Sequence, residues 1–247
     1  MGLSVGARTV TDVHVGSTPV NAVYRGSSLL WTRAEWQPPA SDLTNTCNGD
    51  TGTEMTLESS ALSGDPFTQV NAGWVYLAGG GVRSPAATAT SLFSWGPGVE
   101  AEPALPSVEQ SVGFWFTLLV DANGGRFFDA RNGSNTATFG GLTTQAGGVR
   151  AMAGTTGVAA SQSPPLVIGR PYWITYGIDN SVSGSHTMLI QLADGTTFHQ
   201  WTGALAGTGE DIGYRRFGKI VSNAYQCALA TVKASSGTAT GLPLVPP

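Results

Sequence analysis

The sequence predicts an all-β protein in two parts, a small N-terminal β-hairpin or meander module and then a two-layer β-sandwich. Three observations carry this. In the stretch from Leu166 to Asp179, residues Tyr172, Ile174, Tyr176 and Ile178 share one parity. From Ser111 to Val120 the same holds for Val112, Phe114, Phe116, Leu118 and Val120. A period of two in β-branched and aromatic residues marks strands with one face on a core. The opposite parity also carries large apolar groups, Trp173 in one strand and Trp115 and Leu119 in the other. The second face is therefore either packed or binds something. No stretch sustains a 3.6-residue period, and only 11% of residues are charged, well under the roughly 25% of ordinary soluble domains.

Residues 1–36 read as a separate unit. His14-Val15-Gly16-Ser17-Thr18-Pro19-Val20 is echoed ten residues later by Tyr24-Arg25-Gly26-Ser27-Ser28-Leu29-Leu30. Each copy is a short strand, a Gly-Ser turn and the start of another strand. Its apolar set, Val13, Val15, Val20, Val23, Leu29, Leu30 and Trp31, is too small to stabilise an isolated fold, so it is expected to dock on the main domain or another chain. Residues 37–42 are the linker, where Pro38-Pro39 cannot continue a ladder. The sandwich spans 43–235, and the tail 236–247, ending GLPLVPP, is Pro-rich and extended.

Within the sandwich the first strand is expected over Leu43–Leu57, the next in Gly73–Leu77, and another over Ser91–Trp95 before a Pro-rich loop from Pro97 to Pro106. SVGFWFTLLV follows, then the hairpin at Asn123-Gly124-Gly125 and the strand RFFDARNG. Gly148–Ala153 and the strand at Tyr172 come next. His186–Leu192 turns through Ala193-Asp194-Gly195-Thr196 into Thr197–Trp201. Ile212–Ile220 and Tyr225–Lys233 close the domain.

The 247 residues provide length for a core without metal or disulfide staples. A formal charge of −4 without a basic cluster argues against a nucleic-acid partner. Arg outnumbers Lys ten to two, an excess read as coding bias. No apolar run reaches membrane-span length, so no membrane insertion is expected. The start, MGLSVGARTVTDV, lacks the apolar core of a signal peptide. The expectation is a chain that folds in a cytosol.

Candidate chemistry is sparse. Glycoside hydrolysis wants two carboxylates across a face. Glu54 and Glu58 are spaced to share a strand face among Thr and Ser, whereas Glu210 and Asp211 are adjacent and would point apart. Solvated charges are the better reading of all four. His14, His186 and His199 lie in unrelated contexts and no G-x-S-x-G elbow occurs. His186 is read in a turn and His199 on a strand surface. Calcium is a weak cofactor candidate through Asp121, Asn123 and Asp129, opposed by nearby Arg126 and Arg131. Turn chemistry is the stronger reading. The aromatics remain: Trp115, Trp173, Trp201 and Tyr214 are candidates for carbohydrate or partner contact, since exposed aromatic platforms stack on sugars.

Two resemblances sharpen the reading. Val13, Val15, Gly16, Val20, Val23, Tyr24, Gly26 and Trp31, with Leu30 where Val is usual, fill a pattern similar to an N-terminal module of minor tail and related virion proteins of actinobacteriophages. That implies anchoring by Val13, Val15, Val20, Val23, Tyr24, Leu30 and Trp31. From Leu43 on, strand order and turn placement resemble a concanavalin A-like, laminin-G-like jelly-roll sandwich. The family's Trp at the start of the strand ending in Tyr-Asp is displaced here, to Trp173. Laminarinase-like relatives carry E-x-D-x-E, which this chain lacks.

The resemblances imply a structural protein of a tailed-phage virion, a minor tail or head-decoration protein, assembled in the host cytoplasm and exposed after release. Its partners would be other virion proteins and copies of itself in an oligomer or symmetric array. The alternative is a carbohydrate-binding adhesin that contacts a host surface glycan. A glycoside hydrolase is disfavoured, and the expectation is no enzyme. Concanavalin-like sandwiches set first and last strands side by side, which implies that Cys47 and Cys227 are neighbours. Whether they bond is left open.

Overall fold

The computed structural model describes residues 43–86, 88–96 and 108–236, and as backbone strands 4–5, 8–9, 14–15, 18–19, 22–25 and 28–32. The chain divides into two units, Met1–Pro38 with Pro247, and Pro39–Pro246. In the first unit three antiparallel hairpins follow each other: β1 (Ser4–Val5) with β2 (Arg8–Thr9), β3 (His14–Val15) with β4 (Thr18–Pro19), and β5 (Ala22–Arg25) with β6 (Ser28–Thr32). Val15, Val23, Tyr24, Leu30 and Trp31 lie in these strands. Val13 and Val20 fall outside the described residues, as do the linker, the Pro97–Pro106 loop and the tail beyond 236.

The second unit is a sandwich of two antiparallel sheets. The first sheet runs β19 (Thr197–Ala204), β18 (Ser185–Gln191), β17 (Pro171–Asp179), β12 (Glu109–Val120), β21 (Gln226–Ser236), β10 (Val82–Arg83) and β9 (Val75–Tyr76). β7 (Leu43–Asn45) also pairs with β21. The second runs β16 (Thr156–Gly157), β15 (Gly148–Ala153), β14 (Thr138–Gln145), β13 (Arg126–Asn132), β20 (Ile212–Lys219), β11 (Ser91–Trp95) and β8 (Gln69–Val70). This is the all-β, concanavalin-like jelly-roll architecture that the resemblance in strand order and turn placement implies.

Parity decides the core. Val112, Phe114, Phe116 and Leu118 of β12 and Tyr172, Ile174, Tyr176 and Ile178 of β17 are buried in one cluster. Rings from the second sheet meet them: Phe114 packs edge-on to Phe217 at 5.7 Å, and Phe116 stacks on Phe127 at 4.2 Å. Each such ring contributes roughly 1.5–3 kcal/mol by leaving water, so these contacts hold the two layers together.

Several expectations are corrected. The first strand is only Leu43–Asn45, because Leu57–Ala61 forms a short helix, α1. Thr56 caps it: its hydroxyl accepts from Ser59 N–H while Ser59 Oγ accepts from Thr56 N–H, a reciprocal capping box. Glu58 therefore sits in the first helical turn, not on a strand face with Glu54. His186 belongs to β18 and points inward, sharing parity with Met188 and Ile190. A further strand, β14, carries the Gly140-Gly141 pair that hides its alternation. The first and last strands do pair, Asn45 opposite Val232. Yet Cys47 and Cys227 are both buried and free. Thr231 N–H donates to Thr46 O, and the antiparallel register then sets Cys47 beside Ala230, three residues from Cys227. At about 3.4 Å per residue that is on the order of 10 Å, beyond the roughly 4.4–6.8 Å Cα spacing of a disulfide. Among the described residues no helix is long and apolar enough to cross a membrane.

Candidate functional site

The outward face of the second sheet gathers charge that the sequence scatters. The cause is a β-bulge in β13. The ladder to β14 slips between Arg126 and Phe128, so the consecutive residues Phe127 and Phe128 both enter the core, 0% and 1% exposed. Arg126 and Asp129, three apart, would otherwise project to opposite faces. The extra residue brings them to the same one, with Arg126 Nη1 3.7 Å from Asp129 Oδ2.

Three rows of side chains follow from the register. One crosses the sheet as Met152, Gly141, Asp129, Arg216 and Ser94. Beside it stand Arg150, Thr143 and Arg126. On the other side Arg131 lies opposite Tyr214, whose ring rests against Gly96. Asp129 is the hub, with its side chain fully buried. It accepts from Arg216 Nε at 2.7 Å and Nη2 at 2.6 Å, and from Arg131 Nε at 3.2 Å. The fork from Arg216 is the bidentate geometry a guanidinium offers a carboxylate. Gly141 keeps the row flat, since a Cβ there would stand 2.5 Å from Phe128 O and 3.3 Å from Asp129 Cβ.

A groove of about 270 Å³ opens on this face, lined by Arg126, Thr143, Gln145, Arg150, Met152 and Gly157 among others. Arg150 is held by its Nε, which donates to Gln162 Oε1 at 3.0 Å, and Gln162 Nε2 donates in turn to Gln145 O at 2.8 Å. Arg126 Nε is buried and donates to nothing. Burial draws the Arg126 guanidinium below its ordinary pKa; Asp129 opposes that, and Arg131 and Arg216 add to it. The face can thus present donors and positive charge to a bound group. Sequence reading overlooked it because the arginines lie on three strands, β13, β15 and β20. The available signal was an Asp between two arginines inside an otherwise apolar strand.

The aromatic candidates do not form a platform. Trp173 is 0% exposed and stands opposite Trp115 in the β12–β17 ladder, the rings edge-on at 5.5 Å. Its Nε1 donates to Thr175 Oγ1 at 3.1 Å. Trp115 is half-buried, and Trp201 packs against the core from β19. Only Tyr214 joins the arginine face. The metal candidates do not converge either. Asp121 and Asn123 are exposed in the β12–β13 turn, where Asn123 Oδ1 accepts from Ala146 N–H at 2.7 Å, while Asp129 is bound by arginines. Among the described residues no three His, Cys, Asp or Glu side chains cluster to hold a metal. His199 Nε2 lies 3.2 Å from Ser161 O, and Glu54 Oε1 accepts from Gly73 N–H.

No protein-family model matches the chain, and no curated protein does. Solved structures do. Alginate lyase Aly36B in complex with an alginate tetrasaccharide is similar over 82% of this chain and 99% of that one, at 15% identity and a TM-score of 0.53. The marine alginate lyase of Aplysia kurodai covers 80% and 100%, at 8% identity and 0.53. Trypanosoma rangeli sialidase matches over 87% of this chain but 33% of its own, at 11% identity and 0.52. These likenesses establish the fold. They also correct the expectation of a non-enzyme: the fold is one that alginate lyases and a sialidase share. The missing carboxylate pair screened for hydrolysis alone, whereas a lyase breaks its bond by elimination.

Proposed function

We propose that the sandwich engages carbohydrate through the outward face of its second sheet, and that the N-terminal unit carries it on a tailed-phage particle. The observation that supports the first part is the groove beside β13. Arg126, Arg150 and Gln145 offer hydrogen bonds, and Met152 offers an apolar surface, the mixture of polar and apolar lining that sugars need. Among the similar solved structures are two alginate lyases, one of them in complex with an alginate tetrasaccharide. The pattern of Val13, Val15, Val20, Val23, Tyr24, Leu30 and Trp31 supports a minor tail or head-decoration role, with other virion proteins and copies of the chain as partners. A host surface glycan is the corresponding ligand, met once the particle leaves the cell.

The test is a glycan array probed with the purified chain, with bound glycans then incubated and scored for new reducing ends and for unsaturated ends. Binding should be abolished by Thr143→Trp, which fills the groove between Arg126 and Arg150 from the central strand. Binding to no glycan at all, or binding indifferent to that substitution, would remove this reading. Immunogold labelling of the parent particle tests the location.

A further inference from the structure

We propose that the groove between Arg126 and Arg150 binds an anionic glycan, one whose sugars carry carboxylate or sulfate groups. This rests on the carbohydrate reading above and deepens it. Two guanidinium groups border one groove, and no carboxylate is among its described lining residues. The nearest acid on the face, Asp129, is already satisfied by the fork from Arg216 and by Arg131. Four arginines against one aspartate leave this face with a formal excess of three positive charges (4 − 1 = 3), in a chain whose total is −4. The positive face is therefore local, and Asp129 consumes only part of it.

Arg126 adds a second observation. Its side chain is 13% exposed and its Nε lacks a partner. A buried donor left unmade is costly, and a small turn of the Arg126 side chain toward an oxyanion in the groove would supply its acceptor. A neutral sugar can accept a hydrogen bond there but leaves both charges uncompensated. Planar guanidinium groups suit carboxylate and sulfate oxygens in particular, since both offer paired acceptors. Thr143 and Gln145 on the neighbouring strand remain for sugar hydroxyls.

The experiment is titration calorimetry on the full chain with an oligogalacturonate, a sulfated oligosaccharide, a neutral cello-oligosaccharide of equal length and a short DNA duplex. The acidic sugars should bind, weakening as salt rises, and the neutral one should bind roughly tenfold or more weakly, as loss of a charged hydrogen bond implies. Comparing carboxylate with sulfate assigns the anion. Arg150→Gln should weaken acidic binding by a similar factor and Arg150→Lys should restore part of it, both variants being confirmed folded by melting. If Arg150→Gln does not fold, Arg126→Gln takes its place. Equal binding of the neutral chain, or indifference to the arginine substitutions, would overturn the anionic assignment while leaving the carbohydrate reading intact. Binding of DNA as tightly as sugar would overturn it too, as charge without sugar recognition. Silence from every oligosaccharide here and across a broad array would bring down both.

Discussion

Tyr176 Oη and His186 Nδ1 lie 2.7 Å apart inside the sandwich, on neighbouring strands of the first sheet and closed off from solvent. The two sheets meet at this pair. Gly140 of the second sheet lies against it so closely that a Cβ would stand 2.6 Å from His186 Cε1, and Tyr176 Oη also reaches Met152 O at 3.3 Å. Met152 carries its side chain to the arginine groove on the far side of the same strand. The buried pair and the candidate site thus share β15.

Burial pulls the His186 imidazole down to about 4 from an ordinary 6.5, against the pull of Asp179. An unfolded chain takes up a proton near pH 6.5 that the folded chain refuses until about 4. The stability from neutral His186 is therefore complete above about pH 6.5 and is lost as pH falls toward 4. The gap is worth about 3 kcal/mol. Urea unfolding at pH 4.5 and 7 should show a larger loss for the native chain than for His186→Asn, which keeps a partner for Tyr176. Equal losses would refute the role of His186.

Asp129 should be the costliest single charge to remove from the second sheet. Asp129→Asn keeps the shape but leaves Arg126, Arg131 and Arg216 facing one another without a counter-charge. Breaking a buried pair from one side costs about 3–5 kcal/mol. Denaturant midpoints measure it. The same variant, where folded, should hold an acidic oligosaccharide at least as tightly as the native chain, because the face has gained net positive charge.

The strands whose alternation is made of large residues were legible in the sequence. β12, β17, β11 and β15 stand where their patterns put them, because one face alone must fill the core. β14 was hidden because Gly140 and Gly141 have no side chains to alternate. Their bulk comes from His186 and from the backbone of β13, which local sequence cannot show. The arginine face was hidden for two reasons. A bulge reversed the parity of Arg126, and ladder register alone sets Arg150 and Arg216 on either side of β14 and β13. The Arg excess attributed to coding bias includes these residues.

Trp173 should behave as core although it lies on the parity opposite to the core. Trp173→Ala is expected to cost about 3–5 kcal/mol, as for other fully buried large rings, and Trp115→Ala less, since Trp115 is half-buried. Neither should change glycan affinity in the folded fraction. A stable Trp173→Ala chain with lost binding would restore a sugar platform on the first sheet.

The unit boundary at Pro38–Pro39 makes the division of labour testable. The sandwich supplies its own pairing and core: β7 begins at Leu43 and pairs at once with β21, and among the described residues the aromatic contacts that join the two sheets come from residues after Phe67. A chain lacking residues 1–36 should therefore fold, with a melting temperature close to that of the whole protein. It should also keep the Arg126–Arg150 groove and bind the same oligosaccharide with unchanged affinity. What it should lose is incorporation into the particle, because the short hairpins β1 to β6 are the proposed anchor and each pairs only two strands, too few for independent stability. Co-sedimentation of the truncated and complete chains with particles assembled in their absence provides the comparison. Equal occupancy would transfer anchoring to the sandwich, and a truncated chain that failed to fold would show that the N-terminal unit is part of the domain's structure.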